Sequence, residues 1–453
     1  MNKNRQIDMT QGPILGKFLV FSLPIIASGI LQLLFNAADI IVVGKFAGDE
    51  SLAAVGSTGS LINLLVNLFV GLAIGTNVVA ANFFGAGKKK ELGLTVHTAI
   101  LVSFISGIIL TAIGVVFAKE ILKLMNCPPE VLKLAVLYLQ IYFGGITATM
   151  VYNFGSAILR AKGDTQRPLY ILFLAGIINV ILNLVFVICF KMGVAGVAFA
   201  TVISQTVSAV LIVIILINED EPFKLDLKKL AVDRGILIKI IKIGVPTGFQ
   251  GMMFSFSNVI IQSSVNSFGS LIIAGNSAAQ NIEGFVYISM NSFAQGTLTF
   301  VSQNYGAKKY DRIKKVTVTS LLTILIIGLL LGNLVVLFAK PLASIYSKNP
   351  ETIRAAVIRL QVICSIYFLC GIMDTMGASI RGMGHSVLPM ITTMIGACGI
   401  RLIWLATIFQ IKKFHTPFVI YLSYPVSWII TFITQFICFV VIFNKSRKYD
   451  FCE

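Results

Sequence analysis

The chain has 453 residues, of which 57% are hydrophobic and only 12% charged, and it carries a formal charge of +17. Soluble domains hold roughly a quarter charged residues, so a chain this apolar could not cover a water-facing surface. Its apolar residues fall into blocks of about 20 or more, the length that a hydrocarbon core of roughly 30 Å demands of a helix. Such blocks are too long and too continuous for barrel strands, and in lipid only helices or closed barrels satisfy every backbone polar group. The expectation is an all-α polytopic membrane protein.

In chain order, spans are predicted over residues 14–43, 52–84, 93–118, 131–158, 168–190, 193–217, 236–265, 271–304, 314–339, 355–376, 387–410 and 416–443. The first is too long for a signal-peptide core and lacks a cleavage site at the right distance, so it is kept as a span. The longest hydrophilic stretch, Asn218 to Lys242, reads as a linker with an amphipathic surface helix before the seventh span. The predicted organisation is a six-helix lobe over 1–217, a cytoplasmic linker over 218–235 and a second six-helix lobe over 236–453. Loops on the N-terminal side hold more than twice as many Lys and Arg as the opposite loops, including Lys88, Lys89, Lys90, Lys308, Lys309, Arg312, Lys314 and Lys315. By the positive-inside rule both termini are expected in the cytoplasm, which makes the net charge topogenic and gives no reason to invoke nucleic acid. The cysteines are scattered without metal-ligand spacing, and Cys364, Cys370, Cys398 and Cys438 read as small packing thiols.

The chain repeats itself. At an offset of 221, Gly75, Thr76, Gly85, Ala86 and Lys88 match Gly296, Thr297, Gly306, Ala307 and Lys309. The same register pairs Pro129 and Glu130 with Pro350 and Glu351. It also pairs Ala157, Arg160, Gly163 and Pro168 with Ala378, Arg381, Gly384 and Pro389. At 222 it pairs Pro24 with Pro246. Six spans per repeat is an even number, so both repeats enter from the same side and are parallel, a design that places a solute pathway in a central cavity between them.

Ionisable groups at membrane depth are functional candidates by default. Asp39 stands out: no basic residue precedes Lys45 in LFNAADIIVVGK, so the carboxylate needs a proton, a cation or polar partners. Asn179 and Asn183 share one face of the fifth span at i and i+4, and Thr201 lies one to two turns into the sixth; all are expected at the depth of Asp39. One carboxylate, two amides and a hydroxyl can hold Na⁺ or hydrogen-bond a protonatable Asp39. The alternative is that these polar groups join helices together. Pro24 is the candidate hinge of the first helix. Glu283 is read either as a cavity group attracting cationic solutes, with Gln280 beside it, or as a hydrated carboxylate near the interface. Asp374, whose repeat counterpart is Asn153, is read as a loop-facing or helix-end charge, and Asn153 as a cavity group. Arg401 is expected to snorkel outward. Gly71 and Gly75 have GxxxG spacing and suggest close packing. Arg160-x-x-Gly163 and Arg381-x-x-Gly384 read as loop elements that position helix ends. The absence of a GxxxxGK[ST] loop excludes ATP hydrolysis on this chain, and no HExxH or GxSxG motif suggests an enzyme. Neither a cofactor nor a resident metal is implied.

The duplicated halves, the early proline with Asp39, the endings NFFGAG (82–87) and QNYGA (303–307) of the second and eighth spans, and the two RxxGxxxxP loops resemble the multidrug and toxic compound extrusion (MATE) family over nearly the whole chain. The likeness is to the prokaryotic branch whose cation site lies in the N-terminal lobe, and it maps that site onto Asp39, Asn179, Asn183 and Thr201. Many relatives carry a second acid on the fifth helix where this chain has Asn183, which leaves H⁺ and Na⁺ both open as the coupling ion. The resemblance implies a monomeric antiporter in the cell membrane that exports cationic or amphiphilic organic solutes by alternating access. A lipid-linked precursor flippase of the same superfamily and a non-transporting membrane scaffold are the competing classes.

Overall fold

The structure is a computed structural model and describes residues 7–125 and 127–450. The chain ends, to which the expectation of cytoplasmic termini refers, lie outside the described residues. Among the described residues all regular structure is helical. The first half comprises α1 (Ile14–Phe46), α2 (Asp49–Gly85), α3 (Lys89–Val116), a short α4 (Ala118–Leu124), α5 (Pro129–Gly144), α6 (Ile146–Lys162), α7 (Gln166–Leu184) and α8 (Gly193–Ile217). The second comprises α9 (Arg234–Asn266), α10 (Ser270–Gly306), α11 (Tyr310–Leu337), α12 (Ala339–Tyr346), α13 (Pro350–Cys364), α14 (Phe368–Gly382), α15 (Val387–Thr393), α16 (Ile400–Ala406) and α17 (Pro417–Asp450).

Among the described residues nine helices, with α7 and α15 to α16 each continued through a π-helical turn, are long and apolar enough to cross a membrane. Two further spans are bent pairs, α5 with α6 at 46° and α13 with α14 at 45°, where the sequence had suggested single spans. The twelfth, α10, has the length but carries Asn276, Gln280, Asn281 and Glu283 in its first half. Burial along α11 is inverted relative to a soluble helix. Leu322, Ile326, Leu330 and Leu334, one turn apart, are exposed, whereas Thr317, Ser320, Thr323, Gly328 and Gly332 are buried. An apolar face turned outward and a small, hydroxylated face turned inward is what lipid as solvent demands.

The repeat is visible in the elements themselves. Helices α2 and α10 each have 37 residues, and α3 and α11 each have 28. Gly48 and Gly269 precede α2 and α10 with φ of 87° and 89°. The two RxxG elements end α6 and α14 with Gly163 and Gly384 at φ 98° and 87°, a left-handed conformation that closes a helix C-terminus and suits glycine. Gly163 accordingly donates its N–H back to the Arg160 carbonyl at 2.9 Å.

The chain forms two compact units, and their boundaries fall inside helices. One contains Ala27–Gly248 and the other Met9–Ile26 with Phe249–Glu453. Helices α1 and α9 each change unit two residues after their internal proline, Pro24 or Pro246. In the first unit the opening turns of α9 cross α2 through two interlocked GxxxG pairs. A Cβ on Gly71 would lie 2.3 Å from the Gly248 nitrogen, and one on Gly75 would lie 2.6 Å from the Ile240 carbonyl oxygen. In the second unit the opening turns of α1 pack on α10: a Cβ on Gly296 would lie 2.5 Å from Ser22 Oγ, and Phe18 meets Phe293 and Phe300. Asn304 and Arg312 both donate to the Met9 carbonyl, at 3.1 and 3.0 Å.

The linker is not as expected. Among the described residues no amphipathic helix stands apart from the seventh span: a single 3-10 turn, Leu227–Lys229, precedes α9, which runs unbroken from Arg234. The segment read as a surface helix is the first turns of α9. The linker is held to the first unit by buried Phe223, which packs edge-on against Phe84 with its ring under Lys162. Glu219 bridges Lys162 at 2.5 Å and Arg167, which also pairs with Asp164. Burial pushes the Glu219 carboxyl up, but the Lys162 hydrogen bond and the Arg167 charge outweigh it and hold the group below its ordinary value.

Two stability predictions follow from this packing. Gly71→Val should cost at least about 2 kcal/mol by overpacking against backbone, read as a lower thermal midpoint of the purified protein. Gly56→Ala, where nothing lies within 4 Å, should leave that midpoint in place. Because the Glu219 carboxyl is depressed in the fold, its contribution is present above the unfolded carboxylate value and lost as pH falls through the lower folded one. Glu219→Gln should therefore lower stability by about 1 kcal/mol at pH 7, and the difference from the parent should vanish on acidification below about pH 4.

Candidate functional site

In the first unit α1 and α7 meet where Gly176 leaves room for a ring: a Cβ there would lie 1.8 Å from Phe35. That contact fixes the facing of both helices. One turn beyond Phe35, α1 presents Asp39; one and two turns beyond Gly176, α7 presents Asn179 and Asn183. The result is a continuous hydrogen-bonded chain. Asn183 Nδ2 donates to Asp39 Oδ1 and, at 3.2 Å, to Asn179 Oδ1. Asn179 Nδ2 donates to Thr201 Oγ1 of α8 at 3.4 Å, and that hydroxyl donates to the Val197 carbonyl at 3.0 Å. All four residues expected from the sequence are brought together. Asn183 is fully buried, and among the described residues its Oδ1 has no hydrogen-bond partner. The π-helical turn Val185–Cys189 begins two residues after it, a local widening frequent at functional sites.

This arrangement fits proton or ion chemistry in a specific way. Asn183 donates toward the acid, whereas Asn179 donates away from it to Thr201 and turns its oxygen to Asn183, so rotation of the Asn183 amide exchanges an N–H donor for an oxygen ligand beside Asp39. One carboxylate, two amide oxygens and a hydroxyl are hard donors suited to Na⁺, and the same carboxylate can take a proton. Among the described residues no cluster of three or more His, Cys, Asp or Glu forms a metal site, so any cation here rests on a single formal charge. Sequence reasoning missed Tyr138 and Tyr142 of α5, which stack at 6.1 Å and lie within electrostatic reach of Asp39. Tyrosines one turn apart in an apolar span carry no signal that separates them from packing aromatics.

The second unit holds a different cluster. Glu283 of α10 pairs with Arg359 of α13 through both carboxylate oxygens, at 2.5 and 3.2 Å. Arg359 also donates to Asn276 Oδ1 at 2.8 Å and lies over the rings of Tyr421 and Tyr424. Glu283 is thus neutralised by a neighbour, which corrects its reading as a lone group attracting cations. Arg359 was overlooked because it sits near a span end among loop charges, yet it is only 1% exposed. Gln280 is exposed and faces Gln262 at 3.5 Å, and Asn153 is half-buried on α6 in the other unit. Arg401 does not snorkel outward: it is 2% exposed, with Nε on Ser427 Oγ at 2.9 Å. Asp374 lies midway along α14 between buried Met373 and Thr375, so it is neither loop-facing nor at a helix end. Cys364, Cys370 and Cys398 are buried free thiols and Cys438 is half-buried.

The comparisons with known proteins agree with this architecture. A family model described as MatE matches residues 24–185 and 246–406, once in each half. The chain belongs to the MATE family. Among its relatives are the "Probable multidrug resistance protein YoeA" of Bacillus subtilis, 27% identical over 84% of both chains, and the "FAD transporter" of Shewanella oneidensis, 25% identical over 88% of both. Of solved structures, an outward-facing multidrug resistance MATE family transporter of the MOP superfamily matches with a TM-score of 0.91 at 21% identity, over 99% of this chain and all of the other. That likeness shows the fold of twelve helices in two repeats.

The Glu283–Arg359 pair predicts a non-additive response. Arg359→Gln leaves a half-buried carboxylate uncompensated and should cost about 2–3 kcal/mol, below the cost of breaking a fully buried pair. Adding Glu283→Gln should recover most of that loss, read as thermal midpoints of the two single variants and the double variant.

Proposed function

We propose that this MATE protein is a secondary antiporter of the cell membrane that exports cationic or amphiphilic organic solutes in exchange for H⁺ or Na⁺. The observation that carries the reading is the Asp39–Asn183–Asn179–Thr201 chain: an acid at membrane depth hydrogen-bonded to a neutral amide, which is itself held by a second amide and a hydroxyl. Such a group is stable only when it is protonated, ion-bound or hydrogen-bonded, so its occupancy can be exchanged. Relatives named as probable multidrug resistance proteins support the solute class. The more than twofold excess of Lys and Arg in the N-terminal-side loops supports cytoplasmic termini.

In the mechanism, an ion or proton arriving from outside binds Asp39 and changes what that carboxylate offers Asn183. The amide chain relays the change to α7 and α8. Helix α1 carries Asp39 in one unit and Pro24 in the other, and the proline lacks the N–H that would stiffen the ladder between them. Bending there couples the state of the acid to the opening half of α1, and alternating access follows. The chain works as a monomer with the bilayer as solvent, needs no cofactor, and draws its energy from the ion gradient.

Reconstituted in proteoliposomes, the protein should drive efflux of an organic cation such as ethidium under an imposed H⁺ or Na⁺ gradient. Asp39→Asn should abolish it, because an amide cannot exchange a proton or neutralise Na⁺. Full gradient-driven efflux by that variant would sink the assignment. Imposing the two gradients separately identifies the ion.

A further inference from the structure

Where α10 ends and α11 begins, the second unit has a cavity of about 560 Å³, within the usual range of ligand pockets. Its wall carries the cations Lys308, Lys309, Arg312, Lys315 and Arg447 against a single carboxylate, Asp311. Asp311 pairs with Arg447 at 3.8 Å, a long contact with both side chains half or more exposed, so it contributes little. Two of the cations are fixed by backbone. Lys309 donates to the Thr10 carbonyl at 2.9 Å, and Arg312 to the Met9 and Gln11 carbonyls at 3.0 and 2.8 Å. These acceptors hold the two heads in position and bring no formal charge of their own. The Tyr310 ring, edge-on to Tyr305 at 6.1 Å and to Phe443 at 6.3 Å, ties the first turn of α11 to α17, which supplies Arg447.

Orientation in the membrane explains the sign of this charge but not its arrangement, and the repeat supplies the comparison. At the offset of 221, Arg312 and Lys315 correspond to Glu91 and Leu94, and Lys308 to Gly87. Both copies keep a left-handed turn at the last of these places, with φ of 69° at Gly87 and 56° at Lys308. That backbone suits glycine and crowds a Cβ. The second unit thus holds a lysine where the fold favours glycine, an outlier that points to a function of the side chain. The flanks differ as well. In the first unit the linker runs along the opening turns of α3, where Asp226 N–H donates to His97 Nε2 at 3.1 Å and Asp233 N–H to Thr98 Oγ1 at 3.0 Å. At the matching stretch of α11, Lys314 and Val318 are exposed.

Depth selects the ligand. The outward apolar stripe of α11 begins at exposed Val318, and that of α17 runs to exposed Val441. Lys315 lies three residues before the one and Arg447 six residues after the other, about 5 and 9 Å along helices that rise 1.5 Å per residue. A headgroup layer about 5 to 8 Å thick borders the hydrocarbon at that level. The anion resident there is the lipid phosphate. Ammonium heads meet it as point charges and a guanidinium through paired hydrogen bonds, and basic pockets between spans take such head groups.

We infer that this pocket binds the phosphate head of an anionic phospholipid from the adjoining leaflet. The bound lipid joins α11, α17 and the segment Met9–Gln11, and so steadies the docking of the opening turns of α1 within this unit by mass action. The inference is independent of which solute or ion is moved.

The test is calorimetric titration of the purified protein in nonionic detergent with dioctanoyl phosphatidylglycerol, against zwitterionic dioctanoyl phosphatidylcholine. The parent should bind the anionic lipid about 10-fold or more tightly. Lys315→Gln combined with Arg447→Gln should remove that preference. Lys89→Gln combined with Lys90→Gln takes the same charge from the matching loop of the first unit and should leave the affinity within about twofold. Lys308→Gly separates binding from folding. It should keep the lipid-free thermal midpoint, because glycine fits the turn, yet weaken phosphatidylglycerol about fivefold. Equal affinity for the two lipids, no binding of either, or equal weakening by the two double variants overturns the proposal. So does unchanged lipid affinity in Lys308→Gly. Displacement of the lipid by inorganic phosphate at equal concentration would make this a site for a free anion, and overturns the lipid assignment.

Discussion

Hydrocarbon offers no hydrogen bonds, so each polar group placed in it must find its partner inside the protein. The helices answer that demand for the backbone, and the side chains answer it in two distinct ways. In the first unit the single acid is met by uncharged amides and a hydroxyl. In the second, Glu283 is met by a full opposite charge, and the rings of Tyr421 and Tyr424 line the Arg359 guanidinium. The first solution leaves the carboxylate without a charged partner; the second gives it one. Duplication supplied one scaffold, and the two copies diverged in how they solve the same problem of desolvation.

The same constraint explains the packing. With no hydrophobic force between helices in lipid, close approach and small contacts must supply cohesion. The α2–α9 crossing through Gly71, Gly75, Gly244 and Gly248, and the Gly296–Ser22 approach in the second unit, are of this kind. Bulk is then turned outward, as the leucines of α11 show.

Much of this was legible in the sequence because lipid imposes long, countable blocks and because a duplication prints the same turn residues twice. The paired Arg160-x-x-Gly163 and Arg381-x-x-Gly384 announced helix ends, and the spacing of Asn179 and Asn183 announced their shared face. What the sequence hid were features that depend on partners far apart in the chain. Arg359 and Glu283 neutralise each other across 76 positions, so neither could be valued alone. Arg401 resembled a snorkelling residue until α17 covered it. The break between α5 and α6 left no proline to mark it, only Gly144 and Gly145 in an apolar run. The GxxxG pair at Gly71 looked ordinary because its mate, Gly244-x-x-x-Gly248, lies beyond six intervening helices.

The assignment of Met9–Ile26 to the second unit has a consequence for biogenesis. These residues are synthesised well before the helix they pack on, α10, which begins only at Ser270. The opening turns of α1 must therefore wait in the bilayer without native neighbours while the first unit assembles around the rest of the same helix. The opening turns of α9, by contrast, meet their partner α2 already in place. Assembly is thus sequential for one unit and held open for the other, a vectorial order written into the topology by the exchange of two half-helices.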